Sequence, residues 1–359
     1  MTSSREFSPA LRIILLLAGA SIALWGMSQY AEYILSLSFA FLIALATDPL
    51  VNWLRRKGLH RGLILAIALA AVYLVLALLA LLLIYGAAQF LSELPTYAQQ
   101  AQQLVAQWQA ALQNLGLASA GSAAIASQAD PSKPLNWIAD LLSALGSAIG
   151  SATTLILLTT FLFVDIILWP GRLEETARRG HSYARRLMEF TVDLRQYIVV
   201  MVIVGTCIGA LNTVMFYLFG VPFAALWGVL SGILNFIPFI GFWLGLIPPA
   251  ILTLLEFGPQ RMLVLAILYV AINGFVQNVI QPRLVVTRLN LTPFLNLVSA
   301  TFWPLVLGPA GAIVGVPLTM AVRALILEVD PATRWVAGLT SSQLPEPPVA
   351  DQVATTDHE

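Results

Sequence analysis

Long apolar runs without charged residues alternate with short polar segments along the chain. An α-helix needs about 20 apolar residues to cross the hydrocarbon core of a membrane. Two runs, Val221–Phe257 and Leu291–Leu327, are longer than this and are interrupted by proline and glycine. The pattern predicts an all-α, polytopic integral membrane protein with about eight membrane segments. The predicted single spans are Leu11–Gly26, Ala31–Leu50, Leu63–Phe90, Gly146–Trp169, Ile198–Phe219 and Met262–Ile280.

The composition excludes a soluble fold. The chain of 359 residues is 59% hydrophobic and 10% charged, whereas an ordinary soluble domain carries about 25% charged residues. A water-soluble protein of this size could not bury so much apolar surface. Its one cysteine, Cys207, excludes an intramolecular disulfide framework and any multi-cysteine metal site.

Lysine and arginine are distributed unevenly between the loops, which predicts the orientation in the membrane. With the N-terminus in the cytoplasm, two basic loops and the C-terminus also face the cytoplasm. Residues 91–145, in which Lys133 is the sole basic residue, then face outside. The basic loops carry Arg55, Arg56, Lys57 and Arg61 in one case and Arg172, Arg178, Arg179, Arg185, Arg186 and Arg195 in the other.

The same charge rule predicts that each interrupted run begins and ends on one side of the membrane. Each run is therefore a hairpin, and the two enter from opposite faces. Their prolines are equally spaced, with Pro222 and Pro238 in the first and Pro293 and Pro309 in the second. A span followed by a hairpin, repeated in the opposite orientation, is typical of secondary transporters.

Outside the spans, apolar residues of Leu94–Leu115 recur at a spacing near 3.5 residues, which predicts an amphipathic helix. Three positions stay open for it: on the outer leaflet, against a neighbouring subunit, or against its own chain. The predicted layout is N-terminal transmembrane helices in 1–90, extracytoplasmic amphipathic helices and a loop in 91–145, the fourth span and a cytoplasmic basic helix in 146–197, a transport core in 198–330, and a disordered cytoplasmic tail in 331–359.

The tip of the first hairpin carries the first candidate for a functional site. Pro238 removes a backbone donor and frees nearby carbonyl groups, Gly241 permits unusual backbone angles, and Asn235 offers donors and acceptors. Broken backbone at membrane depth survives only against protein or a water-filled cavity. The tip is predicted to be a gate that faces the substrate; the alternative is a structural kink.

Four amide side chains follow near the end of the span Met262–Ile280. Asn273, Gln277 and Gln281 are four residues apart and are predicted to share one helix face, with Asn278 beside them. Uncharged amides suit a polar solute that is neutral or weakly charged. Hydrogen bonds between helices are the alternative role.

The second hairpin breaks at Gly308 and Pro309, which are the corresponding gate candidates. The middle of the hairpins and of the span between them contains no acidic residue, although intramembrane acids are the usual proton and sodium sites. Asp48 and Asp165 lie near the ends of earlier spans and are the candidates for ion coupling. The alternative for both is a position at the membrane interface or an ion pair with a nearby arginine.

Enzyme motifs are missing from the sequence, which contains no H-E-x-x-H, P-loop or C-x-x-C pattern. We therefore expect no enzymatic activity, no cofactor, no metal site and no nucleic-acid partner. Lipid and a small polar solute are the expected partners.

Several motifs resemble those of the autoinducer-2 exporter (AI-2E) family. The run Asn-Phe-Ile-Pro-Phe-Ile-Gly at Asn235–Gly241 is the most specific of them. At three positions the chain differs from the family pattern, with Val286 in place of glycine, Thr292 in place of histidine, and an amide at Gln277 where an acid is often found near that position. The other similar segments are Thr160–Asp165, Gly220–Pro222, Gln281–Val285, Gly308–Ala312 and Val316–Thr319.

The resemblance implies a multi-pass permease of the bacterial inner membrane that forms homo-oligomers, plausibly pentamers. It implies export of autoinducer-2, and for some members sodium/proton antiport. Our leading hypothesis is a secondary transporter that exports a small polar solute such as autoinducer-2 by alternating access of the two hairpins. A cation/proton antiporter that uses Asp48 or Asp165, and a membrane scaffold without transport, are the alternatives.

Overall fold

The computed structural model describes residues 8–114, 132–150, 152–168, 175–176, 178–179, 182–284 and 292–327. These residues are helical with short turns and no strand among them, which confirms the all-α class. Five of the helices are long and apolar enough to cross a membrane, or six if one bent pair is counted as a span. The count of eight segments stays a prediction, and the predicted tail at 331–359 lies outside the described residues.

Twelve helices organise the part of the chain that the structure describes. Two of them continue into π-helical turns, at Val276–Ile280 and Arg323–Leu327, and the first turn is followed by the short α-helical segment Gln281–Leu284. The helices are α1 Pro9–Gln29, α2 Ala31–Ala46, α3 Asp48–Arg56, α4 Arg61–Asn114, α5 Lys133–Gly150, α6 Ala152–Leu168, α7 Ser182–Leu218, α8 Ala224–Leu234, α9 Ile240–Phe257, α10 Pro259–Phe275, α11 Pro293–Leu307 and α12 Gly311–Val322.

Helix α4 has 54 residues, and at 1.5 Å per residue it is about 80 Å long, against about 30 Å for the apolar core of a bilayer. It continues through residues 90 and 91, where the sequence pattern places a domain boundary. Tyr97 and Ala101, from the predicted amphipathic helix, are buried in the main core, so this stretch packs on its own chain. Farther along, Trp108 is exposed.

Helix α7 likewise runs without a break through residues 197 and 198, another predicted boundary. It packs closely along α8 because glycines face each other. A Cβ atom on Gly205 would lie 2.7 Å from the carbonyl oxygen of Gly232, and one on Gly232 would lie 2.5 Å from that of Gly205. Small residues of this kind let two helix backbones touch, as they do in membrane bundles.

The first hairpin consists of α8 and α9. The predicted break around Pro238 is confirmed, since α8 ends at Leu234 and α9 begins at Ile240. Phe239 adopts a φ of 62°, which a residue with a side chain rarely does. Gly241 is sterically required, because a Cβ atom there would overlap the carbonyl oxygen of Leu234.

The second hairpin consists of α11 and α12, whose axes are bent by 113° at the break. Gly308 supplies the positive φ of 78° that ends α11, which only glycine adopts without strain. The break at Gly308 and Pro309 is therefore confirmed as well. Ala312, just beyond this break, belongs to the same buried cluster as Leu234 and Ile237 of the first hairpin, so one core joins both hairpins to α4.

Candidate functional site

The tip of the first hairpin is joined to the next span by a pair of amide side chains. The Nε2 atom of Gln277 donates to the Oδ1 atom of Asn235 at 3.3 Å. Asn235 is half-buried and Gln277 is exposed, so the bond lies at the border between the protein and its surroundings. Two residues that are far apart in the sequence, and that the sequence predicts for the substrate path, are thus brought together.

Gln277 and Asn278 lie on the π-helical turn Val276–Ile280. A π-turn changes the register of the side chains that follow, and such turns occur often at functional sites. It interrupts the regular α-helical path that the sequence prediction assumed from Asn273 to Gln281.

The amides of this span differ in their surroundings. Asn273 is 3% exposed, and its Nδ2 atom donates to the carbonyl oxygen of Tyr269 at 2.8 Å. Asn278 is exposed and donates to the carbonyl oxygen of Gly274 at 2.8 Å, while Gln281 is half-buried. Gln277 is therefore the amide of this set whose hydrogen bond reaches the hairpin tip.

The tip of the second hairpin is held by its own turn. The carbonyl oxygens of Gly308 and Pro309 accept from the backbone N–H groups of Gly311 and Ala312 at 2.8 and 3.1 Å. Pro309 itself is exposed. The structure relates this tip to the first one through the apolar cluster that contains Ala312, and not through a polar contact among the described residues.

Two polar clusters inside the predicted transport core were not predicted from the sequence. In the first, the Nδ2 atom of Asn212 donates to the hydroxyl oxygen of Ser231 at 3.0 Å, which links α7 to α8. Asn212 is completely buried and Ser231 is 2% exposed. The feature of the sequence that could have indicated this contact is a lone asparagine in the middle of an apolar span.

The second cluster ties the two arms of the second hairpin. The indole Nε1 atom of Trp303 donates to the hydroxyl oxygen of Thr319 at 2.9 Å, and the hydroxyl oxygens of Ser299 and Thr319 are 2.7 Å apart. Serine and threonine in apolar helices are commonly satisfied by their own backbone, so the sequence offered little reason to pair these residues.

The two acidic candidates lie outside the hairpins. The carboxylate of Asp48 accepts from the guanidinium of Arg195 at 3.0 Å and from the side chain of Asn52 at 2.6 Å, so that α3 is tied to α7. Asp165 is exposed on α6, which packs against α2, α4 and α5. Within the described segments, no three His, Cys, Asp or Glu residues are grouped so that they could hold a metal ion.

Two helical hairpins with broken tips, the first of them packed against an amide-bearing span, in an apolar helical protein have the architecture of a membrane transporter. Comparison with models of protein families gives the same class. The model described as "AI-2E family transporter" matches residues 11–330. The chain belongs to this family.

Curated relatives extend over nearly the whole chain. The AI-2 transport protein TqsA of Escherichia coli K12 is 28% identical over 333 residues, which is 92% of this chain and 96% of TqsA. The putative transport protein YhhT of the same organism is 26% identical over 321 residues, 89% of this chain and 91% of YhhT. The putative transport protein YrrI of Bacillus subtilis is 24% identical over 181 residues, about half of each chain.

Proposed function

We propose that this protein is a secondary transporter that exports a small polar solute such as autoinducer-2. The observation that carries the proposal is the hydrogen bond between Asn235 at the broken hairpin tip and Gln277 on the π-turn. Uncharged amides at a break in the backbone offer donors and acceptors to a polar solute without demanding a charge. The relationship to TqsA, which is named as an AI-2 transport protein, supports the choice of solute.

The proposed mechanism is alternating access of the two hairpins. In it, the tip of the first hairpin separates from the π-turn and the bond between Asn235 and Gln277 is exchanged for bonds to the solute. The tip of the second hairpin opens the path on the other side of the membrane. Loss of the apolar contact around Ala312 accompanies that step.

The proposed setting is the inner membrane of a bacterium, with both termini in the cytoplasm and the protein assembled as a homo-oligomer, for which we favour a pentamer. Large exposed apolar side chains on α4, among them Leu74, Leu78 and Leu81, suit contact with lipid or with neighbouring subunits. The charge distribution of the loops supports the orientation.

Cation/proton antiport is less well supported than solute export. The carboxylate of Asp48 is engaged by Arg195 and Asn52, so it already serves to tie α3 to α7. Asp165 lies on α6, whose main contacts are with α2, α4 and α5 and not with the two hairpins. A scaffold without transport would have no need of polar side chains at both sides of the first tip.

Flux of autoinducer-2 in proteoliposomes tests the proposal. We expect Asn235→Leu and Gln277→Leu each to lower the flux at least about tenfold, because either change removes a polar group from the path. Gln260→Leu is the matched control, since Gln260 is an exposed glutamine at the start of the same span, and its flux should equal that of the wild type. Flux of the two tip variants equal to that of the control would refute the role of the tip.

Gradients of pH and sodium across the same vesicles distinguish the alternatives. Solute flux without cation exchange supports export. Cation exchange that disappears in Asp48→Asn or Asp165→Asn, without solute flux, would replace the proposal by antiport. Wild-type vesicles that carry neither flux would leave the scaffold as the better account.

A further inference from the structure

A polar cavity of about 360 Å³ lies away from both hairpin tips, where α4 meets the end of α9. Its α4 lining falls at positions 100, 103, 104 and 107, which is one face of a helix. Ligand cavities of small molecules typically measure about 300–1,000 Å³, so a solute the size of a pentose fits. The lining residues are Gln100, Gln103, Leu104, Gln107, Leu255, Glu256 and Phe257.

One of the polar groups in this cavity lacks a hydrogen-bond partner among the described residues. The Oε1 atom of Gln100 is buried, and no donor among the described residues lies within hydrogen-bond distance of it. A buried acceptor without a partner is costly, and it calls for a donor from water or from a ligand. Gln103 and Gln107, both exposed, add further amide donors and acceptors.

Glu256 is fixed in the cavity wall by Tyr97. The Tyr97 hydroxyl lies 3.2 Å from a carboxylate oxygen of Glu256 and 3.2 Å from one of Glu93, and it donates between them. Tyr97 is 2% exposed. Glu256 is exposed, so its carboxylate keeps lone pairs for a ligand while one of its oxygens contacts the Tyr97 hydroxyl.

Apolar side chains lie between the polar groups of the lining. Leu104 stands among the glutamines of α4, and Leu255 and Phe257 flank Glu256 at the end of α9. The guanidinium of Arg261 lies 4.8 Å from the centre of the Phe257 ring. A lining that mixes apolar and hydrogen-bonding side chains matches a molecule that carries both C–H and hydroxyl groups.

We propose that this cavity is a binding site for a small polyhydroxylated solute, separate from the path at the hairpin tips. The glutamines pair with hydroxyl groups as donors and acceptors, Glu256 accepts from a hydroxyl, and the side chains of Leu104 and Phe257 contact the carbon skeleton. Because Leu255, Glu256 and Phe257 end an arm of the first hairpin, the site is complete only while that arm lies against α4.

Saturation-transfer NMR on the full chain in lipid nanodiscs tests the proposal, with D-ribose and choline as probes. We expect D-ribose to receive saturation from the wild-type protein. The double variant Gln103→Leu, Gln107→Leu should reduce that signal at least about fivefold, because two hydrogen-bonding side chains are lost. Choline should give no signal that depends on these residues.

The matched control is Gln102→Leu, Gln113→Leu. Both are exposed glutamines of α4, and at 100° per residue they lie on a face away from the cavity lining. The control should bind D-ribose like the wild type, and all proteins should elute at the same size, which verifies that they fold. Asn235→Leu should also bind D-ribose normally, so this test and the flux test can fail independently.

Three outcomes would overturn the proposal. The first is the absence of a D-ribose signal in the wild type. The second is a signal of the same size in the wild type, the cavity variant and the control. The third is a choline signal that the cavity variant removes, which would make the cavity a site for organic cations.

Discussion

At the scale of single residues, glycine decides how closely the backbone segments of the first hairpin approach. Gly241, the second residue of α9, lies directly against the carbonyl group of Leu234, where a Cβ atom would overlap the oxygen. The backbone at Leu234 cannot move aside for an added methyl group in the way that the end of a flexible side chain could. The shape of the tip that presents Asn235 therefore depends on a residue that carries no functional group.

The substitution Gly241→Ala should destabilise the protein by about 1–3 kcal/mol, because the added methyl group overpacks the turn. A lower melting temperature in detergent would show this. Gly146→Ala on α5 is the control, since nothing lies within 4 Å of a Cβ atom at that position, and alanine favours a helix. Equal melting temperatures for Gly241→Ala and the wild type would contradict the account.

At the scale of elements, the second hairpin is held together by buried hydroxyl and indole groups. Thr319 on α12 accepts from Trp303 on α11 and contacts Ser299 on the same helix. Its hydroxyl thus satisfies two polar groups across the hairpin. The bend of 113° between the arms brings these groups within reach of each other.

Thr319→Val should lower the stability of the protein by about 1–3 kcal/mol, because it keeps the shape of the side chain and leaves the Trp303 indole without an acceptor. Chemical denaturation followed by tryptophan fluorescence measures the change. Thr301→Val is the control, as Thr301 is exposed and donates to carbonyl oxygens of its own helix. If both variants lose the same stability, the link between the arms has no energetic role.

Local chemistry explains which elements the sequence predicts well. Proline and glycine act on their own neighbourhood, so the breaks at Pro238 and Gly308 follow from the sequence and are confirmed. The contact between Asn235 and Gln277 depends on how two separate elements pack, and the π-turn under Gln277 has no comparable local signal. The sequence does not predict the continuity of α4, because Pro95 lies inside the helix and proline usually interrupts a helix.

At the scale of the whole molecule, the apolar exterior and the distribution of positive charge predict how the protein lies in the membrane. Helix α4 is far longer than the bilayer is thick, so one of its ends must project into water. The charge rule predicts that the basic end, near Arg61, lies in the cytoplasm. The cavity at Gln103 and Glu256 is then predicted to open on the outer side.

Labelling of single cysteines in intact cells checks this arrangement, in a background of Cys207→Ser. A maleimide that cannot cross the membrane should react with Gln103→Cys and Gln260→Cys, because both positions are predicted to face outside. It should react with Arg56→Cys and Arg283→Cys only after the cells are permeabilised. Reaction of Arg283→Cys and Gln260→Cys under the same conditions would contradict the predicted path of α10.

The contact of α7 and α8 through Gly205 and Gly232 has a mechanical consequence. Most helix pairs are locked in register because side chains of one fill the grooves of the other. Where backbone touches backbone the two helices form a close seam, and the buried hydrogen bond between Asn212 and Ser231 crosses that seam. A displacement of α8 along α7 would break this bond, so we expect the first arm of the hairpin to move together with α7 and not to slide along it.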